Sequence, residues 1–364
     1  MPKKVVQFVT NDLNYDQRLI KKCNSLSQGG FDVTLVGRQL PDSEPLQSAN
    51  YRQIRFSCFF NKGVLFYAEI NLRIFIFLLK NNYDIVTAND VDTALGCLLS
   101  SIFKRNKLFF DAHEIFTEVP ELRHSKIKRK LWNWVEKAIV FRAQERYTVC
   151  DSLAELFYES YQKKFNVVRN LPQYVETATT NNFYNHQKYL IYQGALNEGR
   201  GVREYIDAMQ YIPNCNLMIC GKGDLYNQMV AYAQAKPWHD RILFKGNVLP
   251  QALVSFTKNA FLGLNLLENL GKNYYYALSN KFVDYIQVGV PSINMNWPEF
   301  IRINKQYDVA ILFDEINAKQ IANTVNALLK DEQRYIELHQ NCLKAGKVLH
   351  WETERQKLME MYSI

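Results

Sequence analysis

Short apolar runs alternate with helix-length stretches along almost the entire chain, and no other feature restricts the fold so tightly. Residues 5–9 (Val-Val-Gln-Phe-Val) read as a strand and residues 16–28 as a helix, after which Gly29 and Gly30 turn the chain into a second strand over 32–36. Further strands are expected at 84–88, 107–110 and 147–150, and in the second half at 189–193, 216–220, 242–244, 261–266 and 290–293. A strand that is apolar on both faces must be covered on both, and helices of about 10–15 residues between such strands supply the cover. The expected class is therefore α/β, with doubly wound parallel sheets. The sequence contains no fixed-period repeat and no low-complexity tract.

At about 150 residues per domain, 364 residues suggest two. The boundary is expected between Asn170 and Lys188, where Asn170-Leu171-Pro172 stops regular structure and a Thr/Asn-rich segment over 177–182 follows. This divides the chain into domains at 1–170 and 171–345, with a last helical segment, 346–364, packing back towards the first domain. Two open α/β sheets of this kind bind ligands at the carboxyl ends of their strands, in the cleft they face.

Composition narrows the class further. With 48% hydrophobic and 22% charged residues, the chain is neither disordered nor fibrous. No apolar stretch reaches the roughly 20 residues needed to span a bilayer. The nearest, residues 64–79, is interrupted by Glu69 and Arg73 and reads as a buried helix. The amino-terminal residues lead straight into a strand, without the apolar core of a secretory signal. Seven scattered cysteines with no Cys-x-x-Cys pair point to reduced thiols and a cytoplasmic location. The 44 basic against 36 acidic residues give a net charge of +8. That balance suits an anionic ligand, an anionic membrane surface or nucleic acid, and does not choose among them.

Three segments of the second half can carry chemistry. In the first, the 189–193 strand runs into Gly194-Ala195-Leu196-Asn197-Glu198-Gly199-Arg200-Gly201, followed by a helical stretch. Glycines permit a tight turn, a helix start offers free N–H groups to an anion, and Arg200 can hold a diphosphate with its fork. The same residues also make an ordinary βα turn with a surface arginine. In the second, the 216–220 strand enters Gly221-Lys222-Gly223, where the glycines either approach a ligand or merely fit a bend, and Lys222 reads more readily as a solvated charge. In the third, Ser279 is placed to cap a helix whose first turn holds Asn280 and Lys281, with Asp284 three residues on and on the same face. A cation there opposes the helix dipole, which an anionic ligand would offset, and Asp284 can accept hydroxyls of a sugar or ribose. A simple Lys–Asp surface pair is the alternative.

In the first half, Asp111-Ala112-His113-Glu114 leaves a strand and puts His113 at its carboxyl end, where site residues collect, although a lone histidine is more often structural. Asn89-Asp90-Val91-Asp92 follows another strand and reads as loop capping or acceptor contact, not as a metal site. Residues 123–146 are strongly basic, from Arg123 through Lys128, Arg129 and Lys130 to Arg146, with Trp132 and Trp134 among them. Such a helix can lie on an anionic bilayer, or it can face a core with a solvated basic side.

Taken together, these residues resemble family-4 glycosyltransferases of the GT-B type, particularly bacterial enzymes of polysaccharide and glycolipid synthesis. The specific part is the order and spacing of the 192–201 segment, Gly221-Lys222-Gly223, Phe244-Lys245-Gly246-Asn247-Val248, and Asn280-Lys281-Phe282-Val283-Asp284-Tyr285 with Gly289-Val290-Pro291. Asp16-Gln17-Arg18 and the 111–114 segment look like the family's early helix and histidine loop, and put Asp16, Asn89, Asp90 and Glu114 on the acceptor side. The resemblance implies two Rossmann-like domains, the first binding acceptor and the second binding donor. It places Arg200 on the donor diphosphate, Asp284 on the ribose, the Val248 backbone near the base, His113 beside the transferred sugar, and Asn280 and Lys281 in the phosphate or sugar pocket. Gly194, Gly199, Gly221 and Gly223 would line the donor site. Two positions depart from the family's pattern: Ala195 stands where an arginine is frequent, and Tyr276 where the first of two carboxylates is frequent, with Glu268 the upstream alternative.

The resemblance implies a retaining glycosyltransferase with neither metal nor cofactor, moving a hexose-type sugar from a nucleoside-diphosphate sugar to a glycan or polyprenyl-linked acceptor. It would be cytoplasmic, at the inner face of the cell membrane, with residues 123–146 on the anionic surface and no nucleic-acid partner. The rival readings are a sugar-nucleotide epimerase of the same architecture and a non-catalytic basic module binding nucleic acid or membrane.

Overall fold

The computed structural model describes residues 1–14, 16–118, 125–176, 182–184 and 187–363, so Arg123 and residues 177–181 of the expected linker lie outside the described residues. The chain divides into two compact units, residues 1–170 with 354–364, and residues 171–353.

The first unit runs β1 (Lys4–Phe8), α1 (Gln17–Gln28), β2 (Asp32–Gln39), β3 (Arg52–Ser57), α2 (Gly63–Lys80), β4 (Ile85–Asn89), α3 (Ala94–Phe103), β5 (Lys107–Ala112), α4 (Lys126–Arg142), β6 (Glu145–Thr148), α5 (Asp151–Tyr161) and β7 (Asn166–Val167). Its seven strands are ordered β3-β2-β1-β4-β5-β6-β7. All pair in parallel, with Val5 opposite Val33 on one side and Ile85 on the other. The apolar side chains that announced these strands, among them Val5, Val6, Phe8, Val86 and Phe109, are buried.

The second unit runs β8 (Tyr189–Gln193), α6 (Val202–Ala208), β9 (Asn216–Cys220), α7 (Tyr226–Gln234), β10 (Ile242–Gly246), α8 (Pro250–Lys258), β11 (Leu262–Asn265), α9 (Lys272–Tyr276), α10 (Asn280–Gln287), β12 (Ser292–Met295), α11 (Pro298–Tyr307), β13 (Ala310–Phe313), α12 (Ala318–Lys330) and α13 (Glu332–Gly346); α14 (Trp351–Ser363) then leads into the first unit's closing residues. The sheet has six parallel strands in the order β10-β9-β8-β11-β12-β13. Its core gathers Leu190, Tyr192, Ile219, Leu264 and Ile293 with the inward faces of the helices. In each sheet the strand order reverses beside the first strand, between β1 and β4 and between β8 and β11. Loops leave such a point in opposite directions and open a crevice at the carboxyl ends of the strands.

Several expectations are corrected. Residues 64–79 do form a helix, but it is not a buried one. Phe66, Ile70, Ile74 and Leu78 face inward, whereas Leu65 and Leu72 are 59% and 57% exposed. The strand expected at 147–150 is β6, which begins on the charged pair Glu145 and Arg146; Cys150 instead starts α5. Strands β3 and β7 carry no uninterrupted apolar run and were not anticipated; β13, though it is the apolar run Ala-Ile-Leu-Phe, was missed as well. The segment expected as 346–364 divides. Leu349 and Trp351 are buried in the second unit, where the Trp351 N–H donates to the Pro172 carbonyl, and only 354–364 belong to the first. There Tyr362 is fully buried, its hydroxyl within hydrogen-bonding distance of Gln7 Nε2 (2.8 Å), Thr87 Oγ1 (2.8 Å) and the Tyr147 hydroxyl (3.0 Å).

Candidate active site

The order-reversing crevice of the second unit is built from glycine outward. Gly194 ends β8 with φ 129° and donates its N–H to the Cys220 carbonyl at 2.8 Å; Gly221, φ 134°, repeats the move towards the Gly246 carbonyl at 2.7 Å. The carboxyl ends of β8, β9 and β10 are thus stitched together by backbone alone. At Gly221 a Cβ would collide with the Gly194 carbonyl, and at Gly223 with the Asn197 side chain and Leu196. The second glycine pair is therefore fixed by chain packing. Gly199, φ 74°, turns the loop so that its carbonyl accepts the Glu268 N–H at 2.9 Å, leaving Glu268 beside this turn.

Gly194 also makes room for a cation. A Cβ there would sit 2.9 Å from Lys281 Cε, so any larger residue would push the lysine aside in addition to straining the positive φ. Lys281 is half-buried, its Nζ 5.4 Å from the centre of the Tyr192 ring. Arg200 lies with its guanidinium 5.1 Å from the centre of the Tyr274 ring, and its Nε is buried with no hydrogen-bond partner among the described residues. Burial and the charge of Arg200 lower the Lys281 pKa to about 7, against the opposing pull of Asp284. Asp284 is in turn oriented by Gln193, whose Nε2 donates to Oδ2 at 3.0 Å while its Oε1 accepts from Thr257 at 2.7 Å. The expected Ser279 side-chain cap is not formed: Ser279 stands at the N-cap position, but its hydroxyl is turned to donate to Asn265 Oδ1 at 3.0 Å. Asn280 is exposed beside Lys281, and Val248 packs half-buried at the edge of the Ile191–Tyr285 cluster. A cavity of about 320 Å³ adjoins the Arg200 loop, lined by Asn197, Gly199, Arg200, Arg203 and Gln228. Two basic side chains coupled electrostatically, with one tethered carboxylate, are an arrangement that an anion carrying more than one charge could complete.

The first unit gathers a denser charge cluster at the corresponding place. Asp111, at the end of β5, is fully buried and binds Arg18 and Lys22, each at 2.6 Å. Burial alone would raise its pKa, but Arg18, Lys22 and His113 together hold the carboxyl well below the usual range. His113 lies with Nδ1 2.8 Å from Asp90 and Nε2 3.0 Å from Asp111. Burial and Arg18 oppose its charge, but the two carboxylates prevail and its pKa rises to about 9. The His113 backbone N–H also donates to Asp90 Oδ1 at 2.7 Å, and Asp90 holds a φ of 62° in doing so. Asp92 is raised to about 7 by burial and by Asp90, and binds Thr10 across the β1–β4 reversal.

The acceptor-side candidates are placed unevenly. Asn89 is corrected: it is 1% exposed, accepts from Lys22 Nζ at 2.8 Å and donates to the Phe8 carbonyl at 2.8 Å, so it braces the cluster instead of reaching a ligand. Asp16 acts as the amino-terminal cap of α1, accepting from the Leu19 N–H. Glu114 is half-buried next to His113 and acts electrostatically on Asp92. Sequence reading missed the hub itself. A trace of it was visible, since Arg18 and Lys22 fall one turn apart beside Leu19, Cys23 and Leu26, where a lysine on a buried stripe demands a partner. Gln193 left a similar trace as the polar end of an apolar strand.

Residues 176–348 match the family described as glycosyl transferases group 1. No curated protein matches the chain. Among solved structures, the fold is similar to sucrose-phosphate synthase from Thermosynechococcus elongatus, at 14% identity and a TM-score of 0.80, covering 99% of this chain and 98% of that one. It is similar also to Anabaena HepE in complex with UDP, at 13% identity and 0.74, covering 99% of each. A third is WaaG, a glycosyltransferase involved in lipopolysaccharide biosynthesis, at 13% and 0.71, covering 98% of this chain and 99% of that one. Two parallel-sheet Rossmann-like units are thus shared with glycosyltransferases of the GT-B type. The matched second unit makes the protein a glycosyltransferase.

Proposed function

We propose that the protein is a retaining, metal-independent glycosyltransferase of family 4 that transfers a hexose-type sugar from a nucleoside-diphosphate sugar to a glycan or polyprenyl-linked acceptor in cell-surface polysaccharide synthesis. The observation that carries this reading is the cation pair Arg200 and Lys281 at the end of β8, with an unpartnered guanidinium Nε and a depressed lysine pKa. Each asks for an anion, and a diphosphate supplies one that spans both. As the sugar–phosphate bond breaks, charge builds on the departing diphosphate, and preorganised cations stabilise it without reorganising. Gln193 fixes Asp284 as an acceptor for ribose hydroxyls. The UDP in the HepE complex, a protein of the same fold, supports a nucleotide donor here. Retention needs no protein nucleophile in this reading, because the leaving phosphate takes the acceptor proton on the face it leaves. In the first unit His113 is kept positive by Asp90 and Asp111, one carboxylate at each ring nitrogen, so it is not available as a base.

The proposed location is cytoplasmic and peripheral to the inner membrane face, supported by the exposed basic residues at the start of α4. No helix among the described residues is long and apolar enough to cross a membrane. The test is UDP and GDP binding by calorimetry together with turnover of a nucleotide-sugar panel in the parent, Arg200→Ala and Asp284→Ala. Nucleotide affinity and turnover should fall in both variants, and a chelator should leave the parent unchanged. Undiminished binding in Arg200→Ala, or turnover abolished by chelator, overturns the reading.

A further inference from the structure

Helices α2, α3 and α4 of the first unit share one sheet face, locked by Trp132 against Tyr67 (5.0 Å between ring centres) and by Phe75 against Phe103 (5.9 Å). Their inward sides are ordinary core. Their outward sides are not. On α2 the exposed stripe at one angular position reads Leu65, Ala68, Leu72, Ile76 and Leu79, with no polar residue in it. On α4 a second exposed stripe, Ile127, Leu131, Trp134 and Phe141, follows a spacing of four, three and seven; Ile127 is 84% and Trp134 61% exposed. Between them, α3 ends on exposed Ile102 and Phe103. Single exposed apolar residues are unremarkable, but stripes on neighbouring helices mark a surface that is covered in use.

Charge identifies what covers it. Lys126, Lys128, Arg129, Lys130 and Lys137 all stand exposed along α4, and Lys80 and Arg105 are exposed at the ends of α2 and beyond α3. The only acids on these helices are withdrawn from the surface field. Glu69 accepts the Phe59 and Phe60 N–H groups and binds Arg73 at 2.7 Å, while Glu136 is buried and accepts from the Tyr161 hydroxyl at 2.7 Å. A second copy docking through the same face would set these cations against their own kind. An anionic bilayer satisfies both parts, taking the stripes into its interface and the rim against its headgroups.

We infer that the outer face of α2, α3 and α4 is a docking surface for an anionic lipid bilayer, and that α2 inserts alongside α4. This rests on the peripheral placement proposed above and deepens it, since it makes the uncharged α2 stripe essential where adsorption of one basic helix would not; it is independent of the donor reading. The test is co-sedimentation of the purified chain with phosphatidylcholine vesicles, with and without phosphatidylglycerol. The parent should bind the acidic vesicles and not the neutral ones, with a blue shift of tryptophan emission that Trp134→Phe diminishes. Leu72→Glu/Ile76→Glu should weaken binding by roughly tenfold or more while keeping the parent's melting temperature, because both side chains are exposed. Undiminished binding by that variant, equal binding to neutral vesicles, or a parental dimer that the variant dissolves would each overturn the proposal.

Discussion

Both sheets line their order-reversing crevice with charge, yet the two crevices are filled differently. In the first unit Asp111 binds two cations directly and shares a third, His113, with Asp90. In the second, Arg200 and Lys281 repel one another, and the nearby carboxylate, Asp284, is tethered by an uncharged glutamine. The fold is common to both, so what separates scaffold from ligand site is whether the buried charges close among themselves. A closed cluster braces its loops; an open one is, in the proposed reading, completed by a bound anion.

The largest effect should come from opening the closed cluster. Asp111→Asn leaves Lys22, 1% exposed, without its anion, and breaking such a buried pair costs about 3–5 kcal/mol. The urea midpoint should fall accordingly, and an unchanged midpoint would show that the first crevice is not held by charge. Removing a cation from the open crevice should act on rate instead. Lys281→Ala is expected to lower turnover by roughly a hundredfold, as for loss of one preorganised donor, with no loss of melting temperature because the lysine is already strained by burial and Arg200. Gly194→Ala tests whether the glycine exists for the lysine. With φ at 129° and Lys281 Cε in the way, the strain should cost about 1–3 kcal/mol, and donor affinity should fall with it.

The subtlest contrast is in pH dependence. His113 binds its proton more tightly folded than unfolded, with a pKa of about 9 against 6.5. Its stabilisation is therefore full below pH 6.5 and is lost as pH rises to 9. Lys281 binds its proton less tightly folded, at about 7 against 10.5, so it contributes a rise in stability across that window. His113→Gln should abolish the first slope and Lys281→Met the second, seen as opposite changes in the pH profile of the urea midpoint. Parallel changes would erase the distinction between the crevices.

Much of this was legible in the sequence wherever burial is two-sided. Strands β8 and β9 read at their observed bounds because all but their first residues are buried. β3 escaped notice because Arg52, Gln53 and Arg55 belong to an edge strand with one partner, where polar side chains cost nothing. The glycine turns and the Lys281–Asp284 spacing were visible as local pattern. Arg18, Lys22 and Asp111 were not linked, since their meeting depends on packing a helix against a strand about ninety residues away. α2 misled for a related reason: hydrophobicity tells that a helix avoids water, but not whether protein or something else does the covering.

The triple hydrogen bonding of Tyr362 has a consequence for how the molecule is made. Gln7, Thr87 and Tyr147 leave the ribosome early, but the phenol that joins them follows only after residues 171–353 have been translated. Gln7 and Thr87 can bond one another in the meantime, but the full network around the Tyr147 hydroxyl closes only when the last helix of the chain is delivered to the first sheet.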